Sequence, residues 1–418
     1  MTNNQNYYDV NIFILKVGGV WLPNLSESFK KRLFHYIYNT IIFIYCVCIY
    51  QPAETLSVFK HWDMLLIIKS LRDQFNHFIC LYKMFVWYTK NKQIKSIMDE
   101  LIKLTKEFRY ENHQDYNPKK IINRYKLKSD RWSKLFLCGV NGICLNMALS
   151  VFYVYIFKSN DYYVTLNDGT IIYNQKLPVT LSTPFNQNTR ISVLFHFLFE
   201  LIALDIYGWI IIGLDSLFTC MLSCITAQFW ILGGAFETIK PRCLKRLNLD
   251  DNNEIHYPDI LNREMMMEIN KCIKHLQKLI EICERLEKIY NFQTLGQVMV
   301  SLFEMCFCLY LLTFSFNESF GNEFTYLFST SFELLLYCWF GNDVIDASNA
   351  ISGSIFSGDW LGATKSFKKS MIITMIRMNT PIYFTIAKFT PLAFNTFLSM
   401  ARIAYSFYTV LKSGVIGK

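Results

Sequence analysis

The sequence predicts an all-α membrane protein that crosses the bilayer seven times, with the amino terminus in the cytosol and the carboxyl terminus outside. Three observations predict it. Hydrophobic residues make up 52% of the 418 and charged residues 18%, with a mean hydropathy of +0.20, whereas a soluble domain keeps roughly a quarter of its residues charged. Long apolar runs recur, most of them near the 20 residues or so that span a hydrocarbon core of about 30 Å. Lysine and arginine gather in alternate loops, the pattern that sets orientation.

The run at 33–50 holds no charged residue, and the other spans are expected at 63–88, 132–157, 192–236, 297–316, 326–342 and 371–412. The opening residues 1–10 are polar, and the short apolar run at 12–20 is interrupted by Lys16 and lacks a small-residue cleavage site, so the first span is expected to do the targeting. The fourth run is too long to remain in the membrane and predicts a helix that continues out of it for several turns. The seventh is punctured by Pro381 and Pro391, which remove backbone donors and disfavour helix at the residues before them. Two pieces are expected there, a short half before Pro381 and a final helix from about Pro391.

Lys30, Lys31 and Arg32 immediately precede the first span, and Lys119, Lys120, Arg124, Lys126 and Lys128 crowd the loop at 89–130. Lys240, Arg242, Lys245 and Arg246 open the loop after the fourth span, and Lys365, Lys368 and Lys369 close the one after the sixth. The intervening loops are nearly free of bases: 51–62 has Lys60 alone and 317–325 has none. This polarity is the reverse of a G-protein-coupled receptor. All 13 cysteines fall in spans or cytosolic segments, so neither a structural disulfide nor a metal site is expected. The net charge of +9 is accounted for by the cytosolic loops and calls for no nucleic-acid partner.

Between 264 and 295, apolar residues recur three and four apart at Ile269, Ile273, Leu276, Ile280, Cys283, Leu286 and Tyr290, which predicts a long cytosolic helix with one seam. Its expected partners are the overhang of the fourth span and a neighbouring copy of the chain, with packing inside one chain as the plainer alternative. The segment from Asp250 to Asn253, with Pro258 after it, reads as a linker. Ionisable residues inside the spans include Lys69, Arg72, Asp73, Glu200, Asp205, Asp215, Glu304, Glu333, Arg377 and Lys388. Such groups are expensive in lipid and face a bundle interior, a cavity or a water path, either paired structurally or in use. Sequons occur at Asn24, expected inside, and Asn317, in a short external loop. No phosphate loop, paired-histidine zinc helix or nucleophile elbow is present, so no enzymatic chemistry and no cofactor is expected. A transporter would show interrupted helices in both halves, and only one interruption occurs.

The last quarter is more specific. The run Tyr337-Cys338-Trp339-Phe340-Gly341-Asn342, then Trp360, the basic step Phe367-Lys368-Lys369, Arg377 before Pro381, and the closing Ala404-Tyr405-Ser406-Phe407-Tyr408-Thr409 together resemble the carboxyl-terminal signature of insect odorant receptors. Ala404 and Phe407 depart from the usual Thr and Tyr. Gly213 to Phe218 and Gly18 to Pro23 are also similar to that family. The sister gustatory family shares the fold but closes with a different motif, and it stays as the alternative reading.

The resemblance implies a small volatile odorant as ligand and a cation channel in the plasma membrane of sensory neurons, assembled as a heterotetramer with a co-receptor subunit. The co-receptor has an enlarged second cytosolic loop, so the shorter loop here marks a tuning subunit. It further implies three regions: 1–236 on the odorant-pocket side, 237–296 as a cytosolic helical anchor, and 297–418 with a pore helix at 391–412. The pocket is then expected in the outer halves of spans two, three, four and six, at Phe75, Phe78, Met147, Ser150, Tyr153, Leu198, Ile202, Tyr207, Ser331, Leu334 and Tyr337. The pore stripe is expected at Ala401, Ala404, Tyr408 and Leu411, with Tyr408 at the narrowest ring; Ser399, Ser406 and Thr409 form a competing polar face. For each set, ordinary helix packing is the alternative.

Overall fold

The structure, a computed structural model, describes residues 7–23, 28–60, 64–113, 116–157, 163–165, 171–173, 190–250, 257–314 and 320–416. Both sequons and most of the linker after Asp250 lie outside these residues. The elements in chain order are α1 (Asp9–Val17), α2 (Phe29–Phe43), a π-helical segment (Ile44–Tyr50), α3 (Gln51–Lys60), α4 (Met64–Glu107) and α5 (Pro118–Phe157). A small hairpin follows, β1 (Tyr163–Thr165) against β2 (Ile171–Tyr173), then α6 (Arg190–Glu237), α7 (Ile239–Leu247), α8 (Asp259–Phe314) and α9 (Phe320–Ser357). The chain ends with α10 (Lys365–Met378), the hairpin β3 (Thr385–Ile386) and β4 (Thr390–Pro391), and α11 (Phe394–Ile416).

Among the described residues, four helical stretches are long and apolar enough to cross a membrane by length and composition: Phe29–Phe59, Pro118–Leu149, Ile191–Glu237 and Asp259–Thr313. The other expected spans fall on α4 and α9, whose apolar halves carry buried charge, and on α11. At 1.5 Å per residue, the 48 residues of α6 extend about 72 Å, more than twice a hydrocarbon core. The long helices converge on the end of the bundle that carries Lys119, Lys120, Lys240 and Arg242, called the basic end below.

Several segments expected as loops are helical. The stretch at 51–62 continues the first span through Lys60, the i→i+5 turn at 44–50 letting the helix carry on without a break. The stretch at 89–130 is helical except for 108–117, because α4 runs on to Glu107 and α5 starts at Pro118. The interruption at the two prolines is real but lies elsewhere than in a broken span. α10 stops at Met378, the β3–β4 hairpin follows, and α11 begins at Phe394. Thr364 N–H donates to Asn262 Oδ1 at 3.2 Å and Ala387 N–H to the Asn291 carbonyl at 3.1 Å, so α10 and the hairpin lie along α8 between Asn262 and Asn291. Arg377 and Lys388 are accordingly exposed at a helix end and a turn, not buried in a span.

The seam on α8 is buried inside the chain, chiefly by the extension of α4. Phe108 stacks on His275 with ring centroids 4.5 Å apart, Tyr110 shares a hydrogen bond with His275 Nδ1 at 3.2 Å, and Arg285 pairs with Glu100. Arg242 on α7 closes the side with a 2.8 Å ion pair to Glu268 and a 2.7 Å bond to the Ala235 carbonyl. α1 is no span: Ile14 and Leu15 are fully buried, and Leu15 fits where Gly213 of α6 lacks a side chain, since a Cβ there would stand 2.7 Å from Leu15.

A Cβ on Gly341 would meet the Leu392 carbonyl oxygen at 2.3 Å, where α9 passes the end of the β3–β4 hairpin. Gly341→Ala is therefore expected to destabilise by about 1–3 kcal/mol, while Gly353→Ala, on the same helix with nothing within 4 Å, gains roughly 0.5–1 kcal/mol. Melting of the detergent-solubilised protein checks the contrast, and equal shifts would refute it.

Burial, with Lys271 and Lys278 nearby, pushes His275 down from 6.5 to about 3. A lowered folded pKa gives stability that is complete above 6.5 and is lost as pH falls from 6.5 towards 3. His275→Phe keeps the stacked ring and is expected to flatten the fall in melting temperature between pH 7.5 and 5, at a neutral-pH cost of about 1 kcal/mol for the lost Tyr110–His275 hydrogen bond.

Candidate functional site

On α4 the polar residues Arg72 and Asp73 stand one turn before Asn76 and His77, and Lys83 follows seven residues, two turns, after Asn76, so they share one face. On α9 the series Glu323, Tyr326, Thr330, Glu333 and Tyr337 recurs three and four apart. Both faces turn into the bundle, since a charged group facing lipid would have no partner. Between them and α5 and α6 lies a cavity of about 380 Å³.

Glycines on α5 create the space. A Cβ at Gly139 or Gly142 would meet nothing within 4 Å, whereas one at Gly208 on α6 would stand 2.6 Å from Val140, so the two helices touch beside the cavity and leave it open. Phe136, Val140, Ile143 and Met147 line it from α5 and Leu204, Tyr207 and Ile211 from α6. Asp73, Asn76 and His77 line it from α4, and Tyr326, Thr330 and Glu333 from α9.

The polar groups are tied together behind the wall. Lys83 Nζ, 1% exposed, sits 2.8 Å from Asp215 Oδ2 on α6 and 3.0 Å from Glu333 Oε1 on α9, while the Tyr337 hydroxyl donates to the other Asp215 oxygen at 2.6 Å. Arg72 pairs with Asp73 at 2.8 Å and with Glu323, and its guanidinium lies 4.0 Å from the centre of the Tyr326 ring. His77 Nδ1 is 2.9 Å from both oxygens of Glu54 on α3, and its ring packs 4.3 Å from that of Tyr207. Tyr207 in turn donates to the Cys46 carbonyl at 3.0 Å, so the π-helical segment, α4 and α6 meet at one wall. The arrangement holds charge and orients hydrogen bonds; among the described residues no group of His, Cys, Asp and Glu forms a metal cluster.

Of the residues expected to form a pocket, Met147 and Tyr207 line this cavity, and Tyr337 lies beneath it on Asp215. Phe75 faces the other way, stacking on Phe303 and Phe307 of α8 at 6.0 and 6.2 Å, and Phe78 is exposed. Ile202 is exposed, Leu198 and Ser331 are half-buried and Leu334 is buried, and none of the four lines the cavity. A one-residue offset turns a helical side chain by about 100°, which separates Phe75 and Phe78 from Asn76 and His77 and separates Ser331 and Leu334 from Thr330 and Glu333. The side chains of Ser150 and Tyr153 lie outside the described residues. His77, Lys83, Glu323 and Tyr326 were missed, although the three-and-four spacing of polar residues on α4 and α9 marks that face.

On α11, Ala404 is buried and Ala401 half-buried; Tyr408 packs against the small cluster of Ile68, Tyr310 and Leu311, and its hydroxyl accepts a bond from Thr313 Oγ1 at 3.2 Å. The expected pore stripe thus faces α8 of its own chain, and the side chain of Leu411 lies outside the described residues. Asn395, Ser399, Arg402, Ser406 and Thr409, again three and four apart, make the exposed polar face.

The sequence profile described as 7tm Odorant receptor matches residues 63–405. Odorant receptor 92a of Drosophila melanogaster is 20% identical over 343 residues, 81% of this chain and 77% of that one. Odorant receptor 22a of the same fly is 24% identical over 152 residues, 36% of this chain and 38% of that one. The fold is similar to the olfactory receptor OR5 of Machilis hrabei in complex with eugenol, with a TM-score of 0.72 at 13% identity over 97% of both chains. It is also similar to that receptor without a named ligand, at a TM-score of 0.66 over 96% of both.

Removing Lys83 strands two buried carboxylates. Lys83→Met is expected to cost about 3–5 kcal/mol and abolish a monodisperse solubilised protein, and adding Asp215→Asn and Glu333→Gln is expected to recover part of the loss. Size-exclusion profiles of the single and triple variants decide it; a triple variant no better than the single one would show that charge is not the cause.

Proposed function

The chain belongs to the insect odorant receptor family, and from that membership we propose that it is the ligand-tuning subunit of a volatile-gated, non-selective cation channel. It works with a longer co-receptor subunit in a heterotetramer in the plasma membrane of sensory neurons. The family match also decides against the gustatory alternative. The observation that carries the reading is the cavity of about 380 Å³ among α4, α5, α6 and α9, a size suited to a small organic ligand and lined mainly by apolar and aromatic side chains with a few convergent polar groups.

In this reading the basic end is cytosolic, as the positive-inside rule requires. The seven spans are α2 with α3, then α4, α5, α6, α8, α9 and α11, which leaves the amino terminus inside and the carboxyl terminus outside. The odorant-pocket region is 1–236 joined by α9, the anchor at 237–296 is extended by α10, and the pore helix is α11. The face of α11 that lines the pore is the polar one, because Tyr408 is already engaged with α8. Ser399 and Ser406 donate to the Asn395 and Arg402 carbonyls at 2.9 and 3.0 Å, which leaves their oxygen lone pairs free to face water.

Co-expression with a co-receptor subunit tests both sites at once. Gly139→Leu fills the cavity and is expected to raise the effective odorant concentration about tenfold or more with ion selectivity unchanged. Arg402→Gln is expected to change relative cation permeability with potency unchanged. Patch recordings with an odorant panel read both; a permeability change from Tyr408→Phe with Arg402→Gln silent would return the pore to the other face, and full currents from the lone chain would remove the obligate partner.

A further inference from the structure

The cavity wall is one-sided in charge. Its acidic and imidazole groups are Asp73, Glu333 and His77, and among the described residues no lysine or arginine lines it. The bases stand behind the carboxylates: Arg72 lies beyond Asp73, and Lys83 beyond Glu333. The ion pairs and hydrogen bonds around the cavity bring together six carboxylates, Glu54, Asp73, Asp215, Glu304, Glu323 and Glu333. Facing them are three bases, Arg72, Lys83 and His77, even with His77 counted as charged. Lys69, half-buried on α4, adds a fourth charge toward Glu323, at the edge of the network.

Glu304 sharpens the imbalance. It is 4% exposed; one carboxylate oxygen accepts from Thr330 of the cavity wall at 3.1 Å, and the other has no hydrogen-bond partner among the described residues. Buried carboxyl groups in excess of the nearby cations either keep a proton or hold a charge at high cost; a ligand that brings positive charge gives such a carboxylate a partner, whereas a neutral one does not and an acid adds to the cost. The rest of the wall suits such a ligand. Phe136, Tyr207 and Tyr326 offer aromatic rings, whose faces attract an ammonium group within about 6 Å, and Val140, Met147 and Ile211 offer apolar surface to a short carbon tail.

We propose that the cavity takes a small protonated amine, with its ammonium group toward Asp73 and Glu333 and its carbon tail among the α5 and α6 side chains. This rests on the reading of the cavity as the odorant site. Three probes share one carbon frame and differ in charge: 2-phenylethylamine, 2-phenylethanol and phenylacetic acid. Applied to the full chain co-expressed with a co-receptor, the amine is expected to act, as agonist or blocker, at about tenfold lower concentration than the alcohol, with the acid weakest. Asp73→Asn is expected to remove most of the amine's advantage over the alcohol, since Arg72 retains Glu323 as partner. Glu304→Gln is the second variant, and surface labelling confirms that each variant reaches the membrane; if neither does, the wild-type ranking decides. An alcohol equal to or better than the amine, or an Asp73→Asn loss that is the same for both, overturns the amine assignment. Currents to neutral esters and terpenoids with every amine inert overturn it while leaving the odorant site standing. Silence to all volatiles from a surface-expressed heteromer overturns the underlying reading as well.

Discussion

The ion triad at Lys83 fixes the geometry on which the rest of the bundle depends. Apolar helices in lipid gain little from the hydrophobic effect when they associate, so polar contacts and close packing decide which faces meet. Here one lysine on α4 reaches a carboxylate on α6 and another on α9, and the Tyr337 hydroxyl takes up the remaining Asp215 oxygen. Those three helices bound the cavity, and Glu333 belongs to both the triad and the cavity wall. The helices cannot rotate independently without uncovering a buried charge, which sets the phase of every other residue on them. Arg72 with Asp73 and Glu323 repeats the device between α4 and α9 further from the basic end, so the pair is pinned at two levels.

That pinning also explains what was legible in the sequence and what was not. The four long apolar helical stretches were readable because an apolar run of about 20 residues needs no phase to be recognised. The long α6 and the break around Pro381 and Pro391 followed from length and from backbone chemistry in the same way. Rotational phase was harder: α6 is apolar almost all round, so its composition does not say that Tyr207 faces the cavity while Ile202 faces outward. On α4 and α9 the phase was written in the polar residues, and reading Phe75 and Phe78 as the pocket missed the side chains one position away.

The basic end misled in a different manner. Eleven bases between 89 and 130 read as a solvated loop, yet most of the segment is helix whose charges pair between elements, as Glu100 does with Arg285 and Glu107 with Lys278. Lys95 lies over the Trp21 ring at 4.4 Å and donates to the Leu22 carbonyl at 2.8 Å, so a residue that looks like a solvent marker seals the amino-terminal segment against α4. Charge density separates water from lipid, but it does not separate loop from the polar side of a helix.

Because α9 is one unbroken helix of 38 residues, the cavity and α11 share a rod. Glu333 meets Lys83 at the cavity; eight residues on, about 12 Å along the axis, Gly341 lets Leu392 of the β3–β4 hairpin approach to backbone contact. Two turns further, the Ser348 hydroxyl accepts from the Ile382 N–H at 3.0 Å and so holds the segment between α10 and that hairpin. A glycine at the first contact and a side-chain hydroxyl gripping backbone at the second leave little slack between α9 and the start of α11. A tilt of α9 that followed a ligand at Glu333 would therefore have to be shared by α11, unless Gly341 or Ser348 gave way. In a packed structure with few voids, a shift at one end of a rod is passed on rather than absorbed, which gives the cavity a physical route to α11 without a mobile linker between them.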